Sequence, residues 1–192
     1  MWPWGHLAVG YLLYTLYTRT RYGHQPLAVA TIFLVLGTQF PDLIDKPLSW
    51  TIGILPTGRT LAHSLLFAVP VSLAVYGTCR GHPRLRGEWG IAFAVGNISH
   101  VIVDALPALL WGDPAEARFL LWPLLSVPGY EAGETPSIIG AFLTLDLSNY
   151  MLFEFVLFGL AIVVWWRDGR PGLSYCVSRL RRLVSGTSAR SN

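Results

Sequence analysis

The chain has 192 residues, of which 53% are hydrophobic and 13% are charged, and its formal net charge is +3. So few charged side chains cannot cover the surface of a soluble globule of this length, and the composition indicates an integral membrane protein. The two cysteines, Cys79 and Cys176, are far apart and form no Cys-x-x-Cys pair, so neither a disulfide nor a thiolate zinc site is indicated.

Apolar segments recur along the chain at about the length that a bilayer requires. A spanning helix needs about 20 mostly apolar residues, and the fold class that follows is all-α, a polytopic membrane helical bundle of about five transmembrane helices. We predict one membrane-embedded domain over residues 1–167 and a basic cytoplasmic tail over residues 168–192. The five apolar segments cover residues 4–18, 26–44, 61–78, 89–111 and 148–166.

The positions of the basic residues predict how the chain is oriented. Eleven of the 14 follow the first, third or fifth segment and therefore lie on one side of a five-helix path. Because cytoplasmic loops carry the excess of Lys and Arg, this predicts a multi-pass protein of the plasma membrane with its N-terminus outside and its C-terminus in the cytoplasm. We expect the basic tail to meet anionic membrane lipids and not nucleic acid.

The first two segments each bring polar residues to the same predicted membrane boundary. His6 follows an interfacial tryptophan pair at the start of the first segment. The second helix is predicted to end at Phe40, because a proline disfavours helical geometry in the residue before it. Pro41 then starts a short turn in which Asp42 and Asp45 share one face.

The third and fourth segments carry further candidates for a polar site. The first turn of the third helix is predicted to hold His63, and the positive end of the helix dipole should keep this imidazole neutral and able to bind a metal. His100 and Asp104 are four residues apart in the fourth segment, on one helix face, where both can reach a single ion. In a membrane such a pair is costly, so it indicates either metal ligands or a polar contact between helices.

A long connection, residues 112–147, separates the fourth and fifth segments. A loop of this length in so small a protein is usually functional. Arg118 is its only basic residue, and its apolar stretch 119–127 fits either an interfacial segment or a lid. The sequence does not decide between these two alternatives.

The predicted topology gathers six polar residues at the outer membrane boundary. They are His6, Asp42, Asp45, His63, His100 and Asp104. Imidazoles with carboxylates suit a divalent first-row metal, zinc first and manganese as a second candidate, with one or two ions. We expect five of them to be metal ligands, and Asp45 to be either a ligand or a base.

A metal held by these residues with an open position predicts hydrolysis of an ester or phosphoester, because the ion lowers the pKa of a bound water to roughly 7. Asp42 or Asp45 is then the candidate catalytic base. Arg59 and Arg118 are candidates for binding an anionic substrate group, or else serve as interfacial anchors. A lipid or small-molecule phosphoester fits a site at headgroup level.

Several stretches resemble, in the same order, the signature of the prokaryotic membrane-bound metal-dependent hydrolases, the YdjM-like family. They are Gly5-His6 and residues 40–45, 59–64, 96–104 and 121–124. The ligand order is also similar to that of the zinc-dependent phospholipase C and single-strand nuclease superfamily. These resemblances imply an all-helical metal site and phosphoester hydrolysis.

The alternative is a non-enzymatic membrane protein in which the same residues carry metal ions or protons, or join helices. A transporter needs polar groups that continue to the cytoplasmic side. The inner halves of the predicted helices contain almost none, which favours a site at one face only.

Overall fold

The structure is a computed structural model that describes residues 1–131, 136, 137, 140 and 148–188, with side chains up to residue 182. Every regular element in these ranges is a helix, and they contain no strand, which confirms the all-α fold. The helices are α1 (Pro3–Tyr22), α2 (Ala28–Lys46), α3 (Leu65–Gly81), α4 (Gly87–Leu110), α5 (Asn149–Arg167) and α6 (Leu173–Ser188). A π-helical turn, Pro47–Thr51, extends α2, and a 3-10 helix, Pro114–Leu121, follows α4.

The five predicted segments are all helical, but five transmembrane helices are not confirmed. Within the described ranges, three helices are long and apolar enough to cross a membrane: Ala28–Thr51, Gly87–Leu110 and Asn149–Arg167. Helix α3 is apolar but has only 17 residues. Helix α1 has 20 residues, but tyrosines and threonines recur through it and lower its hydropathy. The division into residues 1–167 and 168–192 stays a prediction, and the last four residues lie outside the described ranges.

The bundle buries polar side chains and exposes apolar ones. Asp45, His63, His100 and Glu154 are fully buried, whereas Val156 on α5 is 74% exposed. In water this distribution is unfavourable, because exposed apolar surface is costly and buried charges need partners. It suits a lipid environment, where the apolar side chains face hydrocarbon and the polar groups find partners inside the bundle.

Helices α2 and α4 pack with their backbones in close contact. A Cβ atom on Gly96 would lie 2.5 Å from the carbonyl oxygen of Leu34 and 2.8 Å from the backbone nitrogen of Thr38. Gly37 faces the carbonyl of Phe93 in the same way. Small residues allow this approach of membrane helices. The contact brings the end of α2 beside the second half of α4.

The predicted end of the second helix at Phe40 is wrong, because α2 continues through Pro41 to Lys46. Pro41 has no N–H group to donate to the carbonyl of Gly37. Membrane helices tolerate such a proline where a neighbouring helix supplies other contacts, and here α4 packs closely against this stretch. Asp42 and Asp45 therefore lie on α2 itself.

The start of the third helix also differs from the prediction. Helix α3 begins at Leu65, and the hydroxyl of Ser64 caps it by accepting the N–H of Leu66 (3.2 Å). His63 therefore lies in the turn before the helix. A helix cap of this kind favours Ser over most residues, because its side chain replaces a missing backbone acceptor.

The apolar stretch 119–127 begins by folding back onto α4. Phe119 packs in a small core with Ala105 and Ala108. The hydroxyl of Ser64 donates a hydrogen bond to the carbonyl of Trp122 (2.6 Å), so this stretch is joined to the start of α3. The ring of Phe119 lies edge-on to His63, with 6.1 Å between their centroids.

Replacing Gly96 with Ala tests the contact between α2 and α4. The new methyl group would overlap the backbone of α2. We therefore expect the free energy of unfolding to fall by about 3 kcal/mol, at the upper end of the range for overpacked cores. In detergent this should appear as a fall in Tm of about 5 to 10 °C. Gly77→Ala is the matched control, because nothing lies within 4 Å of its new Cβ. Equal Tm values for the two variants would contradict the close packing.

Candidate metal centre

Asp45 organises the turn that carries His63. Its buried carboxylate accepts the backbone N–H groups of Thr60 (2.8 Å), Ala62 (2.9 Å) and His63 (3.2 Å). It also lies 2.8 Å from Nδ1 of His63. The carboxylate accepts hydrogen bonds from these backbone groups, and it also accepts one from Nδ1 of His63. Nδ1 of His63 therefore carries a proton. The lone pair of the neutral imidazole is then on Nε2.

His100 is oriented in the same way by a backbone carbonyl. Its Nδ1 lies 2.6 Å from the carbonyl oxygen of Thr38 on α2. A carbonyl oxygen only accepts, so Nδ1 of His100 is the donor. The lone pair of this imidazole is therefore also on Nε2.

These two Nε2 atoms lie 3.1 Å apart. Two lone pairs at this distance repel each other unless a proton or a cation lies between them. Burial lowers the pKa of His63, but the neighbouring carboxylates of Asp104, Asp42 and Asp45 raise that pKa to about 10. This direction favours the protonated form of His63 when no ion is bound, opposite to the direction predicted from the helix dipole. A divalent ion bound here would take the place of this proton.

Two carboxylates complete the set of donors around the imidazole pair. Oδ1 of Asp42 lies 3.6 Å from Nε2 of His63 and 3.7 Å from Nε2 of His100. Oδ2 of Asp104 lies 3.6 and 4.0 Å from the same two atoms. Donors that bind zinc tetrahedrally at about 2 Å are about 3.3 Å apart. The residues therefore fit a divalent ion in both chemistry and size.

His6 brings a third imidazole to the centre. Its Nε2 is 3.2 Å from Oδ1 of Asp104, and its ring stacks on that of His100 with centroids 3.6 Å apart. Its Nδ1 is buried and has no hydrogen-bond partner among the described residues. Two overlapping groups could thus hold a metal ion, one with His6, His100 and Asp104 and the other with Asp42, His63 and His100.

Two cationic side chains pair with the carboxylates of the centre. Nε of Arg59 lies 2.8 Å from Oδ2 of Asp104, and Nζ of Lys46 lies 2.6 Å from Oδ2 of Asp42. Arg59 is about half exposed. The cations hold the carboxylates in place and reduce the negative charge at the centre.

A cleft of about 970 Å³ opens beside the centre. Asp42, Arg59 and Arg118 all line it. Arg118 is exposed and forms no ion pair within the ranges that the structure describes. The structure thus brings His6, Asp42, His63, His100 and Asp104 together, places Asp45 directly behind His63, and places both predicted arginines at the cleft.

Sequence reasoning missed three contributors to this region. Lys46 pairs with Asp42 one helical turn away, a spacing visible in the sequence. Glu154 on α5 is fully buried, lines the cleft and accepts the backbone N–H of Trp2; an acid inside an apolar segment was its signal. The carbonyl of Thr38 gave no signal, because any residue carries one.

A second polar cluster lies at the opposite end of the bundle, where the sequence predicted almost no polar groups. Asp168 is buried and accepts hydrogen bonds from the hydroxyls of Tyr11 (2.7 Å) and Thr15 (3.3 Å). Arg19 forms an ion pair with its other oxygen. These donors satisfy the carboxylate, so the cluster acts as a clamp between α1 and the end of α5.

Replacing Asp45 with Asn tests its role behind His63. The amide offers one acceptor oxygen and turns its NH2 group toward buried donors. We therefore expect the free energy of unfolding to fall by about 2 to 3 kcal/mol, the scale of one charge-assisted hydrogen bond. Thermal unfolding in detergent measures it. Asp113→Asn is the control, because this exposed residue caps the 3-10 helix and Asn caps equally well. The same small shift in both variants would count against the role of Asp45.

Comparison with known proteins supports the membrane assignment. The model of the YdjM inner membrane protein family matches residues 1–186. No curated protein and no solved structure matches the chain, so the similarity to phospholipase C and nucleases is not shown. The family match and the apolar helices together place the protein in a membrane. The chain belongs to the YdjM inner membrane protein family.

Proposed function

We propose that this protein is a membrane-bound, metal-dependent hydrolase that acts on a phosphoester at the outer face of the membrane. The observation that carries the proposal is the pair of Nε2 atoms of His63 and His100, 3.1 Å apart. Hydrogen bonds from Nδ1 to acceptors behind the rings direct both Nε2 atoms toward the same point. Such orientation of ligating imidazoles by a carboxylate or carbonyl is typical of metal sites.

The donor set favours zinc, with manganese as a second candidate, because it combines imidazole nitrogens with carboxylate oxygens. Asp42, His63 and His100 would hold one ion, and His6, His100 and Asp104 form an overlapping group for the same or a second ion. When bound, a divalent ion here supplies Lewis acidity and a water that is deprotonated near neutral pH.

Asp42 is our assignment for the residue that accepts a proton during the reaction. Its carboxylate lines the cleft, and Lys46 holds its Oδ2 while Oδ1 faces the two imidazoles. Asp45 is the less suitable of the two predicted bases, because four hydrogen bonds already occupy its oxygens. We therefore assign Asp45 to positioning His63.

The cationic side chains at the cleft favour an anionic substrate. Arg59 uses Nε to bind Asp104, whereas Arg118 is exposed at the cleft and pairs with no described acid. A guanidinium group forms paired hydrogen bonds to phosphate oxygens. Arg118 is therefore our first assignment for binding the phosphate group, and Arg59 is the second.

Aromatic residues around the cleft favour a substrate at headgroup level. Trp50, Tyr130 and Tyr150 line it, and the indole of Trp50 donates to the hydroxyl of Tyr130 (3.1 Å). Trp and Tyr are enriched at the membrane–water interface. Leu43, which also lines the cleft, is 65% exposed. A lipid phosphoester, with its phosphate at the arginines and its chain beside Leu43, suits this combination.

The placement of the site at the outer face rests on the arginines. The site lies where α1 begins, α2 and α4 end and α5 begins, whereas the arginine clusters follow α1, α3 and α5 at the opposite end. Since the positive side of a membrane protein is cytoplasmic, the metal centre then faces outward.

Removing one imidazole tests the metal centre. We expect elemental analysis of detergent-purified protein to find one or two zinc or manganese ions per chain. Because each variant removes one nitrogen ligand, His63→Ala and His100→Ala should reduce this content at least about tenfold. His82→Ala is the control, because His82 is exposed in the loop between α3 and α4.

The outcomes of this experiment separate the candidate functions. Full metal content in both variants would exclude the proposed ligands. Metal that depends on His63 and His100, without hydrolysis of any phosphoester offered, would favour the non-enzymatic alternative, in which the same residues handle metal ions or protons.

Replacing Arg118 with Gln tests substrate binding. Loss of the guanidinium should lower kcat/KM for phosphoester hydrolysis about 10- to 100-fold, mainly through KM, because a charge-assisted contact contributes about 1.5 to 3 kcal/mol. Arg118→Lys keeps the charge and should lose less. The assay compares a phospholipid in mixed micelles with p-nitrophenyl phosphate. Unchanged KM values for both substrates in Arg118→Gln would exclude this role.

A further inference from the structure

The chain turns sharply between α5 and α6. Gly169, Arg170 and Gly172 have φ values of 79°, 56° and 85°, so α6 does not continue the axis of α5. The indole of Trp165 donates to the carbonyl of Pro171 (3.0 Å), and Gly172 packs against the backbone of Ala28. Helix α6 therefore starts from a fixed point at the end of the membrane bundle.

One face of α6 is apolar and exposed. Leu173, Val177 and Leu180 are spaced by four and three residues, so they form a stripe along one side of the helix. Their exposed fractions are 50%, 38% and 61%. Arg181 lies beside the stripe and Arg182 on the opposite side, as their helical positions require. This is the pattern of a helix that lies in a membrane surface.

The region around this stripe is strongly basic. Residues 167–182 contain five arginines and a single acid, Asp168. Asp168 is buried and pairs with Arg19. Arg170 and Arg181 border a shallow groove of about 490 Å³, whose apolar lining comes from Leu173 and Val177.

We propose that α6 lies in the membrane surface at the end of the bundle opposite the metal centre, and that the groove between Arg170 and Arg181 binds the phosphate of an anionic lipid. The apolar stripe then contacts acyl chains. This inference goes beyond the proposed function and does not depend on it.

The structure favours a lipid over other anionic partners. Helix α6 begins six residues after Arg167, the last residue of a candidate membrane span, so its stripe is beside the bilayer. Nucleic acid would match the arginines but leave the leucines uncovered. An anionic lipid matches both, because it combines a phosphate with acyl chains.

The test uses the full chain in lipid nanodiscs. Cys79→Ser and Cys176→Ser remove the native thiols, and Val177→Cys carries an environment-sensitive fluorophore in the stripe. The quencher is a brominated lipid, either phosphatidylglycerol or phosphatidylcholine, at equal mole fraction. We expect phosphatidylglycerol to quench several-fold more strongly, and Arg170→Gln with Arg181→Gln to remove the difference.

Matched variants and competitors make the result decisive. Arg84→Gln with Arg86→Gln, in the exposed loop between α3 and α4, should keep the preference for phosphatidylglycerol, because these arginines lie on the same side of the membrane but outside the groove. Equal quenching by the two lipids in the labelled protein that keeps all its arginines would overturn the proposal. So would a larger change of emission with duplex DNA than with either lipid.

Discussion

The close approach of α2 and α4 is the constraint on which the rest of the structure depends. At Gly37 and Gly96 the two backbones are so near that neither position has room for a side chain. This proximity lets Nδ1 of His100 reach the carbonyl of Thr38. The same contact places Asp42, one turn further along α2, beside the Nε2 atom of His100. A wider separation would take the carbonyl of Thr38 away from the buried imidazole of His100, at high cost in a bilayer.

The polar groups of the bundle are satisfied in two different ways. Asp45 and Asp168 each have donors for both oxygens, and such saturated carboxylates stabilise contacts between chain segments. The Nε2 atoms of His63 and His100 instead face each other, and Nδ1 of His6 has no partner among the described residues. A buried polar atom without a partner, such as Nδ1 of His6, is uncommon, and a bound ion is one way to satisfy it. This difference separates the candidate metal centre from the clamp at the other end.

The sequence predicted which segments are helical and which residues form the site. It predicted less well where the helices begin and end and how the site residues contact each other. Hydropathy located all five segments, since apolar runs are a direct consequence of the lipid environment. The positions of the arginines alone indicated that the histidines lie at the same end of the bundle, opposite the basic segments. The continuation of α2 through Pro41 could not be inferred, because it depends on packing against α4, and this packing has no local signal in the sequence. The carbonyl of Thr38 could not be found for the same reason.

Helix α6 shows a further limit of pattern reading. Residues 173–188 mix seven apolar residues with three arginines, and the basic composition of the region dominated its interpretation as a tail. Only the turn at Gly169, Arg170 and Gly172 shows that the stripe of Leu173, Val177 and Leu180 starts at the bundle. Composition therefore indicated the charge of this segment, whereas its position beside the bundle required the fold.

The contacts that orient His63 and His100 join residues at very different separations along the chain. Asp45 finds all its partners 15 to 18 residues away, within a single helix–turn–helix unit. His100 meets Thr38 across 62 residues. Closing a short loop costs less entropy and is faster. We therefore expect the unit of α2 and α3 to orient His63 before α4 is complete, and the arrival of α4 to bring together the groups that could hold a metal ion.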